Sequence, residues 1–187
     1  MISLVITYCE TDPEKKEILK RCIDSFKGQY DELIIAEDKI HNLSRNVNKG
    51  MLLAKGDFIV VCADDITLNR GTLKETCIED VVTTPYVNDR FEKLFPGHMY
   101  TIPRRILSEV GLWDETYDGF LFSDSDYWMQ IEHRGFEIRK LKEVNILHPH
   151  PARTTDRLFK EGREEFNRKK FISKWGIDGY KRIYPMT

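Results

Sequence analysis

Three segments, ISLVITY (2–8), ELIIAED (32–38) and DFIVVCA (57–63), are short, nearly continuously apolar and rich in β-branched residues. That pattern reads as buried strand. The spacers between them read as helix. Thr11-Asp12-Pro13-Glu14 is a helix start, with Pro13 in the first turn and acids near the positive end of the dipole, and Ile18, Leu19, Cys22, Ile23 and Phe26 recur at helical spacing up to Gly28. A second helix fits Leu43 to Ala54. Strands apolar on both faces and separated by helices predict a β-α-β-α-β unit, with a parallel sheet covered on both sides. All three strands run out into polar or acidic residues, at Tyr8-Cys9-Glu10, Glu37-Asp38 and Asp64-Asp65. An ionised carboxylate is costly to bury without a partner, and open α/β sheets bind ligands at the carboxyl ends of their strands. The acids are therefore expected to face a ligand crevice rather than the core.

Beyond Asp65 the periodicity is less regular. VVTTPY (81–86) and HMYTIP (98–103) read as strands, and Arg104 to Val110 as a short helix closed by Gly111. SDSDYWMQIEHRG reads as a helix with Ser123 as N-cap, early acids and Gly135 as its stop. FEIRKL and VNILHPH read as two edge-like strands, since Pro149 cannot continue a ladder. Arg157 to Trp175 fits a long helix with Gly162 as its weak point.

A chain of 187 residues with 41% hydrophobic and 32% charged residues has the composition of a globular protein able to bury a real core. The net charge of −2 hides an asymmetry: residues 153–187 hold 10 Lys/Arg against 5 Asp/Glu, whereas residues 1–152 hold 19 against 26. The sequence thus predicts an acidic body, residues 1–152, and a basic tail, residues 153–187, whose Phe166, Phe171, Trp175, Tyr180 and Tyr184 pack an amphipathic helix onto that body. Basic residues interleaved with aromatics also suit a nucleic acid or an anionic membrane surface. Cys9, Cys22, Cys62 and Cys77 show no Cys-x-x-Cys spacing and read as reduced packing residues, which favours a cytoplasmic location. The N-terminal apolar run is too short for a signal peptide and lacks a basic flank, and no window reaches 18 apolar residues, so no transmembrane segment is expected.

Paired carboxylates at a strand end, with a distant acidic cluster and a late His, suit a hard divalent cation bound through oxygen, Mn²⁺ or Mg²⁺, which in an open site also holds a phosphate. Taken alone, Asp64-Asp65 equally reads as a solvated turn, and Ser123-Asp124 as a helix cap with a dipole-stabilising acid.

The ordered set TYCE, IIAED, NVNKGMLLAKGDFIVVCADDI, RRILSEVGLWDE, SDSDYWMQIEHRGFEI and NILHPH, spread over residues 2 to 150, resembles the family 2-like glycosyltransferases of the GT-A fold. The resemblance implies a single α/β domain with a mixed, mostly parallel central sheet flanked by helices. It implies an enzyme that moves a sugar from a nucleotide-diphosphate sugar to an acceptor hydroxyl, with inversion. By the same resemblance Thr7, Tyr8 and Glu10 begin the nucleotide pocket, Glu37 and Asp38 bind base or ribose, and Arg45 and Asn48 lie in the helix that lends a basic residue to the donor. Asp64 and Asp65 occupy the Asp-x-Asp position; Asp65 would hold the metal and Asp64 would contact ribose. Asp124 matches the catalytic base and Asp126 its second acid, Trp113 and Asp114 line the acceptor pocket, and His148 joins the metal site, with His150 as a competitor. Two departures stand out: Ala63 replaces the first Asp of the family's motif, and Cys9 replaces the Asn that follows its Tyr.

Other readings of the residues are a degenerate sugar- or nucleotide-binding module, a nucleotidyltransferase of similar architecture and a receiver-type phosphoryl-transfer domain. The second needs a glycine-rich phosphate loop that TYCETDPEKK lacks, and the third leaves the second half of the chain unused. The sequence leaves open the sugar, the base, the oligomeric state and the acceptor, whether glycan, protein, lipid-linked sugar or modified nucleic acid.

Overall fold

The computed structural model describes residues 1–8, 14–37, 42–89, 97–119, 121–148 and 163–184. Its strands are β1 (Ile2–Tyr8), β2 (Glu32–Glu37), β3 (Phe58–Ala63), β4 (Thr67–Arg70), β5 (Val81–Val87), β6 (Met99–Pro103) and β7 (Glu137–Leu147). Its described helices are α1 (Glu14–Ser25), α2 (Leu43–Leu53), α3 (Leu73–Thr76), α4 (Arg104–Val110), α5 (Ser123–His133) and α6 (Arg163–Ile183). The strands form one sheet in the order β2-β1-β3-β6-β5-β7-β4. Within it β1, β2, β3, β5 and β7 point one way, while β6 and β4 run against them.

The continuous apolar runs have the expected cause, since both faces of the inner strands are covered. Val5, Ile59 and Val61 pack on Val47 and Met51 of α2, Ile106 and Val110 of α4, and Tyr127 and Ile131 of α5. Their alternating neighbours Leu4, Ile6, Val60 and Cys62 pack on the opposite face against Cys22 of α1, Phe26 just after it and Leu73 of α3. Two cores thus sandwich one sheet. Cys22, Cys62 and Cys77 are free thiols. No helix among the described residues is long and apolar enough to cross a membrane.

Several sequence expectations need correction. FEIRKL and VNILHPH are not two edge strands but one strand, β7, held between β5 and β4. The apparent break is a register shift: Pro85 pairs with Leu141 but Tyr86 with Asn145, so the polar Lys142-Glu143 step loops out without ending the strand. The N-cap of α5 is Phe122, in the left-handed region at φ 69, rather than Ser123, whose buried hydroxyl finds no partner. The kink of α6 falls at Gly176, φ 75, and α6 continues past Trp175 to Ile183. Gly162, the expected weak point, lies outside the described residues, as do the helix start at Thr11 to Pro13 and residues Cys9, Glu10, Asp38 and His150.

Gly50 sets how closely α2 lies on the sheet: a Cβ there would sit 2.1 Å from Val5 Cγ1 and 3.3 Å from Ala36 Cβ. Gly50→Ala gains up to about 1 kcal/mol of helix propensity but overpacks the core at a cost of roughly 1–3 kcal/mol. A contact this short lies at the costly end of that range, so the urea midpoint is expected to fall by the equivalent of about 1–2 kcal/mol. An unchanged or higher midpoint would show that α2 rides higher on the sheet than described.

Candidate active site

The parallel register aligns the carboxyl ends of β1, β2 and β3, with Tyr8 opposite Glu37 and Thr7 opposite both Ala36 and Ala63. Tyr8, Glu37 and Asp64 thereby reach the same edge of the sheet. Lys49 of α2 donates to the Glu37 carbonyl at 2.9 Å, and Asn46 to the Tyr8 carbonyl at 3.2 Å, so α2 closes the chain ends that form this edge. Arg45 is exposed in the first turn of α2, its backbone N–H capped by Asn42 Oδ1.

After Ala63 the chain turns at Asp64-Asp65 and runs back as β4, which pairs antiparallel to β7 with Thr67 opposite Leu147. This ladder carries the turn to the end of β7. There His148 Nε2 lies 3.2 Å from Asp65 Oδ2. Asn88, at φ 52, holds the His148 backbone through both side-chain atoms, accepting from its N–H at 3.0 Å and donating to its carbonyl at 3.3 Å. His98 stacks on the His148 ring with centroids 4.1 Å apart, and its own carbonyl accepts from the Ala63 N–H. Burial, aided by the neighbouring His148, pushes His98 down to about 4, so it is neutral at physiological pH. Burial would raise Asp65, but its hydrogen bond and charge interaction with His148 outweigh this and hold it below the usual carboxylate range. Asp64 is 6% exposed and meets Lys15 Nζ of α1 at 3.3 and 3.5 Å.

The donor set of Asp65 and His148 fits a divalent cation. Adjacent ligands of an octahedral ion bound at 2.0–2.1 Å are about 3 Å apart, close to the spacing of this pair. Among the described residues no three His, Cys, Asp or Glu side chains gather as a metal-holding group, so such an ion would complete its shell with water or substrate oxygens.

A second acidic site opens α5. Asp124 Oδ1 accepts from the Ser125 N–H at 2.7 Å and from its hydroxyl at 3.4 Å. Its Oδ2 faces the Gly97 backbone, where a Cβ would come within 2.7 Å. Burial pushes Asp124 up to about 6 against the lowering effect of these hydrogen bonds. Gly97-His98 therefore touches Asp124 through one residue and His148 through the next, linking the two acidic sites.

Five of the residues predicted from sequence are engaged in other contacts. Asn48 clasps the Trp113 backbone, donating to its carbonyl and accepting from its N–H at 2.9 Å each, and donates a further bond to Glu115. Trp113 is buried, donates from Nε1 to the Tyr100 hydroxyl and stacks between Tyr100 and Tyr127. Asp114 accepts from Thr116 and pairs with Lys170 of α6. Asp126 is fully buried and accepts from Lys174 Nζ at 2.8 Å, Trp175 Nε1 at 2.7 Å and the Tyr117 hydroxyl at 3.0 Å. Thr7 donates inward to the Cys62 carbonyl. Sequence reasoning missed Asn88, His98, Lys15 and Gly97; the only signal available was the nearness of Gly97-His98 to a strand start, which does not distinguish a site from a turn.

No protein-family model and no curated protein matches the sequence. Solved structures do match in shape. The catalytic domain of Drosophila β1,4-galactosyltransferase 7, in complex with xylobiose, superposes with TM-score 0.65 at 15% identity, covering 80% of this chain and 71% of that one. GalNAc-T7 with UDP, GalNAc and Mn²⁺ gives 0.68 at 11%, covering 98% and 50%. The mannosyltransferase PcManGT of Pyrobaculum calidifontis with GDP-Man and Mn²⁺ gives 0.64 at 13%, covering 92% and 64%. The chain has the GT-A fold. It spans half the length of GalNAc-T7 and under two thirds of the mannosyltransferase. At these identities a GT-A likeness carries architecture alone, and chemistry has to be argued from the side chains.

The raised Asp124 makes a stability prediction. Its folded pKa of about 6 exceeds the unfolded value near 3.9, so its favourable contribution is complete below about pH 4 and lost as pH rises through about 6. Asp124→Asn removes the ionised form and is expected to raise stability at pH 7.5 by about 1–2 kcal/mol, with the gain shrinking as the pH is lowered to 4. Urea unfolding at the two pH values checks this; an equal effect at both would mean the carboxylate is not strained by burial.

Proposed function

We propose that the protein is a divalent-metal-dependent glycosyltransferase that moves a sugar from a nucleotide-diphosphate sugar to an acceptor hydroxyl with inversion. The observation that carries this reading is the pairing of two different acidic sites at one end of the sheet. Asp65 meets His148 as a cation-binding pair, and Asp124, with raised proton affinity, lies against the adjoining Gly97-His98 step. Mn²⁺ or Mg²⁺ held by Asp65 and His148 would neutralise the charge that develops on the departing nucleotide diphosphate.

The chain's own residues do the rest. Tyr8, Glu37 and the outer end of α2 with Arg45 frame the nucleoside side of the edge; Glu10 and Asp38 belong to this pocket by the sequence resemblance alone. Asp64, neutralised by Lys15, borders the ribose side. Asp124 Oδ1 is held by Ser125, which leaves Oδ2 to take the proton of the acceptor hydroxyl as its oxygen forms the new bond to the anomeric carbon. The bond to the nucleotide diphosphate breaks with its electron pair, and no proton needs to reach that leaving group. A carboxylate near 6 is a stronger base than an ordinary one and is still mostly ionised at neutral pH. Asp126 and Asp114 support this region through the tail rather than by contact with the acceptor.

Incubation with a panel of nucleotide sugars and Mn²⁺, read as nucleotide diphosphate release, tests the reading; silence with every donor and no metal-dependent nucleotide binding would end it. Asp124→Asn is expected to lower turnover on the order of a hundredfold or more while nucleotide binding persists. A binding module would keep its function in that variant. Turnover of the native protein is expected to fall on the acid side with a midpoint near 6. Asp65→Asn is expected to weaken Mn²⁺-dependent nucleotide binding by roughly tenfold or more, measured by calorimetry with and without chelator.

A further inference from the structure

The two ends of Asp124 are treated differently by the fold, and the C-terminal helix is the reason. Ser125 donates its hydroxyl proton toward Asp124 Oδ1. A hydroxyl has one proton, so in its 2.7 Å contact with the Tyr184 hydroxyl Ser125 accepts and Tyr184 donates. The geometry of that contact allows either hydroxyl to donate; commitment of the Ser125 proton to Asp124 selects the order Tyr184 to Ser125 to Asp124. We propose that Tyr184, just beyond the end of α6, is a positioning residue for Asp124, acting through Ser125 to hold Oδ1 and leave Oδ2 for the acceptor. This rests on reading Asp124 as the group that activates the acceptor.

Contacts on both sides of Asp124 support the assignment. Upstream, Phe122 sits in the left-handed region, an unfavourable backbone for a bulky residue, and is held there by ring contacts with Phe171 at 5.8 Å, Tyr180 at 6.2 Å and Tyr184 at 5.0 Å. Asn167 binds the N–H and carbonyl of Asp118 and the carbonyl of Leu121. Downstream, Asp126 receives Lys174 and Trp175. Five residues of α6 (Asn167, Phe171, Lys174, Trp175 and Tyr180) and Tyr184 just beyond it therefore bracket the start of α5, which is more than packing an apolar face requires. Among the described residues no Lys, Arg or His pairs with Asp124, and Lys174 is spent on Asp126. The groups that face Tyr184 are Tyr180 and Glu164 of the same helix and Asp124 itself; burial first, then the Asp124 charge, keeps the Tyr184 hydroxyl protonated and so always a donor.

The relay stabilises the ionised carboxylate, so breaking it must raise the Asp124 pKa. Carbon-13 NMR of the Asp124 carboxyl, titrated from pH 4 to 8, reads this without any donor or acceptor. Tyr184→Phe removes one oxygen and is expected to shift the midpoint up by about half a unit. Ser125→Ala should shift it at least as far, and the double variant no further than Ser125→Ala alone. An unmoved midpoint in Tyr184→Phe, or a shift that adds fully to that of Ser125→Ala, would overturn the relay. The acid limb of turnover separates the two readings: if it moves with the NMR midpoint, both hold. If the NMR midpoint moves and the limb does not, the relay stands and Asp124 loses its role as base.

Discussion

A carboxylate at the end of a fully apolar strand must find a counter-charge or a donor, and that requirement organises one end of this sheet. β3 delivers two such carboxylates in succession, and the fold answers each from a different direction. Lys15 comes from α1 below and His148 from the end of β7. The first solution is an ion pair, in which the ammonium of Lys15 on a helix meets the Asp64 carboxylate. The second pairs a carboxylate with an imidazole, and under the proposed function this same contact is the one that would hold the divalent ion.

The supporting residues explain why the second solution is held so firmly. His148 is fixed at its backbone by Asn88 and at its ring by a neutral His98. A stacked neutral ring restrains orientation without adding a competing positive charge, which a protonated neighbour would do. Because Gly97 precedes His98 and lies against Asp124, the cation pair and the raised carboxylate are tied through two consecutive residues.

The first half of the chain was legible because its physics is local. Apolar runs covered on both faces, as at Leu4-Val5-Ile6 and Ile59-Val60-Val61, admit few other readings, and their ends fix where Tyr8, Glu37 and Asp64 emerge. The second half was less legible because its determinants are long-range. β4 is four residues long with no apolar pattern, yet it places Asp65 beside His148. The polar step in β7 looked like a strand end because a register shift and a turn share the same composition. Asn48, Trp113 and Asp126 occupy motif positions, but which way a side chain points depends on the partners that reach it, and Tyr100, Tyr117 and Lys174 are remote in sequence.

Asp124 and Asp126 show how one turn of helix gives like residues opposite environments. Asp126 is fully buried and receives three donors, one of them cationic, so its charge is fully met. Asp124, two residues earlier, is met among the described residues by Ser125 and by no cationic side chain, and its charge is less fully compensated. Two residues on a helix are separated by about 200°, so one side chain turns into the tail and the other toward Gly97-His98. The satisfied acid spends its charge on attaching α6. The unsatisfied one keeps a raised proton affinity because it is buried and because, among the described residues, no Lys, Arg or His pairs with it.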